Sequence, residues 1–211
     1  IEMWNKARLH KALWNSIKVG VITAIISTFI ALFAAKAFTR YRVKYSGLSY
    51  GALLLPFIIP EIIIAVAFIV IWTSMGLKLG LIPITISHIL YCTPFCLLIL
   101  ISRMDGFDKS LEEASMDLGE NIFGTFWRVT FPLLLPGIIA SLLLSFVISF
   151  DEFILAFFLS SSDQTLPIYM WSQLRFPKKL PHVLALGAII IVATSFIVML
   201  SYWFRNLGQS N

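Results

Sequence analysis

Blocks of about 20 mostly apolar residues recur along this chain, each long enough to cross a bilayer core of roughly 30 Å. A segment in hydrocarbon must satisfy its own backbone hydrogen bonds, so such blocks have to be helices. Five are visible, at about 16–38, 50–74, 82–102, 133–159 and 182–204. The second carries Pro56 and Pro60 near its start. Proline lacks an N–H and clashes with the preceding turn, so a kink is expected there. Charged residues make up 13% of the 211, against about 25% in ordinary soluble domains. The reading is one all-α, polytopic membrane helical bundle. Residues 1–15 mix Trp4, Leu9, Leu13 and Trp14 with Lys6, Arg8 and Lys11, which suits an interfacial helix leading into the first span. Residues 160–181 read as a longer polar connection carrying Asp163, Lys178 and Lys179.

Between the third and fourth spans, over 103–132, the pattern changes. Five acids, Asp108, Glu112, Glu113, Asp117 and Glu120, fall within 13 positions. Leu111, Ala114, Leu118, Ile122 and Phe126 recur at the spacing of one helical face. Ser110-x-x-Glu113 fits a capping box, Gly119 can end the first helix in a left-handed cap, and Asn121 can start a second. Pro132 is expected to close the unit. The stretch predicts a helix–bend–helix on the membrane surface, with an apolar stripe that needs cover. Such a helix can also lie on its own protein or on headgroups. Lipid-surface helices, however, favour Lys and Arg on the polar face, and this one is acidic, which points to a protein partner.

The run Glu113-Ala114-Ser115-x3-Gly119-x9-Val129-x-Phe131-Pro132 resembles the EAA motif, E-A-A-x3-G-x9-I-x-L-P, of the inner-membrane permeases of binding-protein-dependent ABC importers. Ser115, Val129 and Phe131 are mild departures. The segments PFIIPEIIIAVAF, SHILYCTPFCLLILISRMDGFD and LSFVISFDEFILAFFLS are similar to the second permease of spermidine/putrescine importers. The resemblance implies a multi-pass protein of the bacterial cytoplasmic (inner) membrane. It also implies a homologous permease as heterodimer partner, a cytoplasmic ATPase dimer, an extracytoplasmic substrate-binding protein, and one N-terminal span more than is visible here. The coupling surface it implies holds Glu112, Glu113, Ala114, Ser115, Asp117, Gly119, Phe123, Phe126 and Pro132. Eight basic residues fall on either side of the membrane, so charge asymmetry does not orient the chain, and placing this loop in the cytoplasm rests on the resemblance.

Acids at membrane depth are expensive and normally face a cavity or a partner. Glu61 follows Pro60, where irregular backbone can line a water-filled path. Asp151 and Glu152 lie deep in the fourth span, about 100° apart around a helix of 3.6 residues per turn, so one of them is expected to face the path. Glu61, Asp151, Glu152, Phe150 and Tyr91 are the candidate substrate path for a cation. Pairing with a partner's basic residues, or snorkelling to an interface, is the alternative. His88, Tyr91 and Thr93 suit a polar contact inside the bundle or a pore lining. Phe146, Phe150, Phe153 and Phe157 suit packing or an aromatic gate, and Tyr169 and Trp171 an interfacial belt or a contact with the binding protein. Cys92 and Cys96 read as small core residues.

The net charge of +5 is scattered between spans, so nucleic acid is not expected as a partner; membrane lipid is. No phosphate-binding loop, zinc-protease motif or nucleophile elbow occurs, and His10, His88 and His182 have no metal-ligand spacing. The chain is therefore expected to be a transport subunit that is no enzyme and binds no cofactor or metal. A permease for iron, thiamine, opines or phosphonates, or a stand-alone channel or carrier, remains an alternative.

Overall fold

The computed structural model describes residues 7–41 and 46–206; Trp4, Lys6, Arg42 and Lys44 lie outside the described residues. Every regular element among the described residues is helical. The interfacial helix and first span merge into one rod, α1 (Ala7–Arg40). Next come α2 (Ser46–Ile58), α3 (Glu61–Ser74) and α4 (Leu81–Asp105), then the short α5 (Ser110–Asp117) and α6 (Ile122–Thr125). A π turn, Phe126–Thr130, leads into α7 (Phe131–Asp151). The chain ends with α8 (Ile154–Leu159), α9 (Leu166–Gln173) and α10 (Leu180–Asn206). Four helical runs are long and apolar enough to cross a membrane, and the bent pair α2–α3 makes a fifth if counted as one span.

The bundle is built around α1, α4 and α7, with α10 against α7. Its polarity is inverted relative to a soluble domain. The buried stripe of α1 is mostly small or hydroxylated, including Ser16, Gly20, Thr23, Ser27 and Ala31, with Leu9, Val19 and Leu32 among them. The outward stripe is large and apolar, with Ile22, Ile25, Phe29 and Phe33 exposed. Lipid tails are as apolar as Leu, so burying such side chains gains nothing here. Close backbone approach and interhelical hydrogen bonds take over. Ser27 Oγ donates to Ile89 O (3.3 Å), Ser201 Oγ to Ala140 O (2.8 Å) and Asn15 Nδ2 to Gln164 O (3.0 Å). Cys92 and Cys96 are free, buried and directed at the carbonyls of Ser145 and Ser141.

Four sequence expectations change. The kink at Pro60 is a fold of 101° between α2 and α3. With 13 and 14 residues, each half is about 20 Å long and cannot cross alone. The fourth span is not continuous to 159: Glu152 is extended (φ −67°, ψ 126°), separating α7 from α8. Pro132 does not close the polar unit either. Residues 122–151 form one helical run, and the π turn before Pro132 lets Phe131 N–H reach back to Phe126 O, a widening that accommodates the proline. The segment 160–181 hides α9, which sequence reading missed although Pro167 in its first turn is a start signal.

At Gly20 α1 and α7 approach closely, because a Cβ there would sit 3.0 Å from the Phe146 ring. Gly20→Val is expected to lower stability by about 1–3 kcal/mol, the usual range for overpacking. Thermal unfolding in detergent measures it; an unchanged midpoint would mean that Phe146 simply moves aside.

Candidate functional site

The polar stretch forms an elbow of α5 and α6. The expected capping box is absent, because Glu113 pairs with Lys109 (3.0 Å) and Ser110 makes no side-chain cap. Asp108 Oδ1 accepts the Ser110 N–H instead (2.9 Å), and that bond holds the Asp108 carboxyl below its ordinary pKa. Gly119 ends α5 at φ +95°, with Gly119 N–H on Met116 O (2.9 Å) and Glu120 N–H on Ser115 O (3.2 Å), the two bonds of a Schellman cap. Asn121 Oδ1 accepts the Gly124 N–H (2.8 Å) and starts α6. Ser115 and Thr125 hydroxyls meet across the bend at 3.2 Å.

Outward, the elbow presents Leu111, Ala114, Leu118, Ile122 and Phe123, with Glu113, Asp117 and Pro132 also exposed. Leu118 is 87% exposed. Two residues assigned to this surface face the other way. Phe126 is buried against Leu100, Met104 and Leu134, with the Lys36 ammonium 4.5 Å from its ring centre. Glu112 is buried as well, its carboxylate 3.0 Å from Arg40 Nε and accepting from Thr130 Oγ1. The 3.6-residue period favoured Phe126, but the π turn rotates it inward.

The intramembrane acids divide into three environments. Glu61, in the first turn of α3 just after the 101° fold, accepts from Tyr91 OH of α4. Glu152 is buried and serves the fold: its two oxygens accept from Leu155 N (2.8 Å) and Ala156 N (3.0 Å), capping α8. His88 Nε2 stands 3.0 Å from the same carboxylate, and His88 Nδ1 2.8 Å from Ser149 Oγ. His88 is thus a polar contact inside the bundle. Asp151 is exposed at the end of α7. It borders a cavity of about 400 Å³ between α7, α9 and α10 that Phe150, Phe153, Met170 and Trp171 also line. Of the two adjacent acids only Asp151 borders this cavity, because the chain breaks at Glu152. Glu61 is held by α4, whereas Asp151 ends α7 and opens onto the cavity.

The row of phenylalanines splits at the same break. Phe146 stacks near Phe150 (5.6 Å between centres), and Phe153 near Phe157 (5.4 Å), the latter two against Trp171. Phe150 is mostly buried but reaches the Asp151 cavity. Tyr169 is buried under α1, while Trp171 stays at the surface beneath the Arg175 guanidinium.

Residues 27–207 match the family described as binding-protein-dependent transport system inner membrane component. The chain belongs to that family. It is 30% identical over 200 residues to the spermidine/putrescine transport system permease protein PotC of Escherichia coli K12, covering 94% of this chain and 75% of that one. Its fold is that of solved importers. The methionine transporter MetNI, in inward-facing conformations, matches at a TM-score of 0.71 with 16% identity, over 95% of this chain and 97% of that one. A bacterial alginate transporter, solved with a pentasaccharide-bound periplasmic protein, matches at 0.73 with 14% identity, over 100% and 82%. The molecule is therefore an inner-membrane permease subunit of an ABC importer.

In this permease the role of Glu152 was not evident from the sequence alone, where it ranked with Asp151 as a path candidate. The available signal was an acid directly before a short apolar run, a helix-start pattern. Glu152→Ala strips α8 of its cap and leaves His88 without its carboxylate. Leaving buried donors without their acceptor costs about 1–3 kcal/mol each, so a large drop in the detergent melting midpoint is expected. Glu152→Gln, which keeps one acceptor oxygen, is expected to lose less; equal midpoints for Glu152→Ala and the parent would show that the cap is dispensable.

Proposed function

We propose that this permease subunit carries polyamines into the cell by alternating access. It does so as one half of a heterodimer with a homologous permease, powered by a cytoplasmic ATPase dimer that docks on the α5–α6 elbow. An extracytoplasmic binding protein delivers the substrate, as the periplasmic protein in the alginate complex favours for this fold. The observation that carries the substrate class is a pair of carboxylates at membrane depth, Glu61 and Asp151, in a chain 30% identical to a spermidine/putrescine permease. A polyamine sheds water from several ammonium groups as it crosses. A carboxylate in a low-dielectric cavity offsets part of that loss, and aromatic faces such as Phe153 and Trp171 add cation–π attraction. The exposed apolar face of the elbow supports the docking reading, because the other described residues leave Leu118, Ile122 and Phe123 uncovered. ATP-driven closure of the ATPase dimer would draw two such elbows together and tilt the helices above them.

Uptake of labelled spermidine by cells carrying the assembled importer tests the path. Glu61→Gln and Asp151→Asn are each expected to cut uptake at least tenfold, about 1.4 kcal/mol, with assembly intact. Full uptake in both variants would remove these acids from the path. The elbow is tested separately. At φ +95° a β-branched residue is strained even though nothing lies within 4 Å of a Cβ at Gly119. Gly119→Val is expected to leave ATP hydrolysis running while uptake falls; retained coupling would contradict the docking reading.

A further inference from the structure

α5 holds to the rest of the chain in an unusual way. Its only buried residue is a charged one, Glu112. Leu111, Met116 and Leu118, which would anchor a helix by apolar packing, face outward. Glu112 meets Arg40, the last residue of α1, and both side chains are less than a tenth exposed. Arg40 Nη2 donates to Met104 O (3.1 Å) and Phe107 O (3.4 Å), where α4 ends, and its guanidinium lies 4.8 Å from the centre of the Phe107 ring. The other oxygen of Glu112 takes the Thr130 hydroxyl, in the π turn that opens α7. One guanidinium and one carboxylate thus tie together the ends of α1, α4, α5 and α7. Among the described residues the Arg40 Nε–H has no aligned acceptor, so its 3.0 Å approach to Glu112 is an attraction of charges rather than a directed hydrogen bond.

We infer that the Arg40–Glu112–Thr130 cluster is the mechanical joint of this permease, through which displacement of α5 passes into α1, α4 and α7. This inference rests on the reading that an ATPase docks on the elbow. The physical reason is that a buried ion pair resists separation more strongly than an apolar contact of the same size, since parting it strands two desolvated charges. A planar guanidinium can serve a carboxylate and two carbonyls together, and the carbonyls at the end of α4 carry the negative pole of that helix. Sliding α5 alone would break both contacts of Glu112, while the Arg40 bonds keep the ends of α1 and α4 joined, so α5 and the three helix ends move as one body. Arg40, Glu112 and Thr130 are positioning residues: they face inward and leave the docking surface to Leu118, Ile122 and Phe123.

The test uses the assembled importer, with Cys92 and Cys96 replaced by Ala and spin labels placed at exposed Tyr41→Cys and Lys109→Cys. In the parent protein the α1–α5 distance is expected to be narrow, and equally narrow with ATP trapped. Glu112→Gln, nearly isosteric, is expected to broaden it and to lower the ratio of spermidine imported to ATP hydrolysed about tenfold, with hydrolysis retained. Arg40→Met and Thr130→Val are expected to act in the same direction, and Arg40→Lys to recover part of the ratio. If Arg40→Met fails to assemble, Glu112→Gln and Thr130→Val decide. A ratio within twofold of the parent and a narrow distance in Glu112→Gln would overturn the joint while leaving the docked ATPase in place. A parent protein that binds no ATPase, yet shows the narrow distance, would instead overturn the reading on which the joint rests.

Discussion

The bundle must be held together in a medium where burying a large apolar side chain gains almost nothing. That constraint explains why the buried stripe of α1 is mostly Ser, Thr, Gly and Ala while its Ile and Phe residues point away. Small residues let the backbones come close, and hydroxyls find carbonyls on the neighbouring helix, as Ser27 does at Ile89 and Ser201 at Ala140. Pairs of this kind contribute little individually, roughly 0.6 kcal/mol on average in membrane proteins. Helices joined by many weak, short-range contacts can shift against one another without any single contact dominating the cost, which suits the alternating access proposed for this permease.

Two breaks in the helices interrupt this regularity, and each has an acid beside it. Pro60 ends α2 and Glu61 begins α3; α7 ends at Asp151 and Glu152 caps α8. A broken helix in a membrane exposes N–H groups that water cannot reach, so something must satisfy them. Glu152 does so for α8, and its buried position follows from that duty. Its neighbour Asp151 is then free to face the cavity, because the extended residue at 152 turns the chain between them. The same local event thus produces a structural carboxylate and an accessible one from adjacent positions.

Much of this was legible in the sequence, for reasons that can be named. Span positions follow from length and hydropathy, and the caps at Gly119 and Asn121 from residues whose backbone or side-chain chemistry leaves few other uses. The breaks were harder. A run such as FDEFILAFFLS has the composition of a continuous span, and only the carboxylate geometry of Glu152 reveals the interruption. Likewise α9 was hidden in a polar segment because it is short and leans on α1 and α7 rather than on its own periodicity. Glu112 was misplaced by its neighbours: inside an acidic run it reads as surface, and nothing local indicates that Arg40, 72 positions earlier, waits to pair with it. Period counting also assumed 3.6 residues per turn through Phe126, where the chain in fact widens into a π turn.

The elbow therefore has two faces with opposite chemistry. Toward the bundle it offers one carboxylate, held by a guanidinium and a hydroxyl; toward the outside it offers Leu118, Ile122 and Phe123 together with the exposed Glu113 and Asp117. An apolar contact is weakly directional and can form and release with a partner, since each element of it depends on area rather than alignment. A buried ion pair is costly to open. Placing the releasable chemistry on the outer face and the resistant chemistry on the inner one gives α5 a preferred direction of slip: a partner can let go of the elbow before the elbow lets go of the helices. Exchanging the two chemistries would reverse that order, so the asymmetry itself, rather than any one residue, is what suits this short helix to transmit a pull.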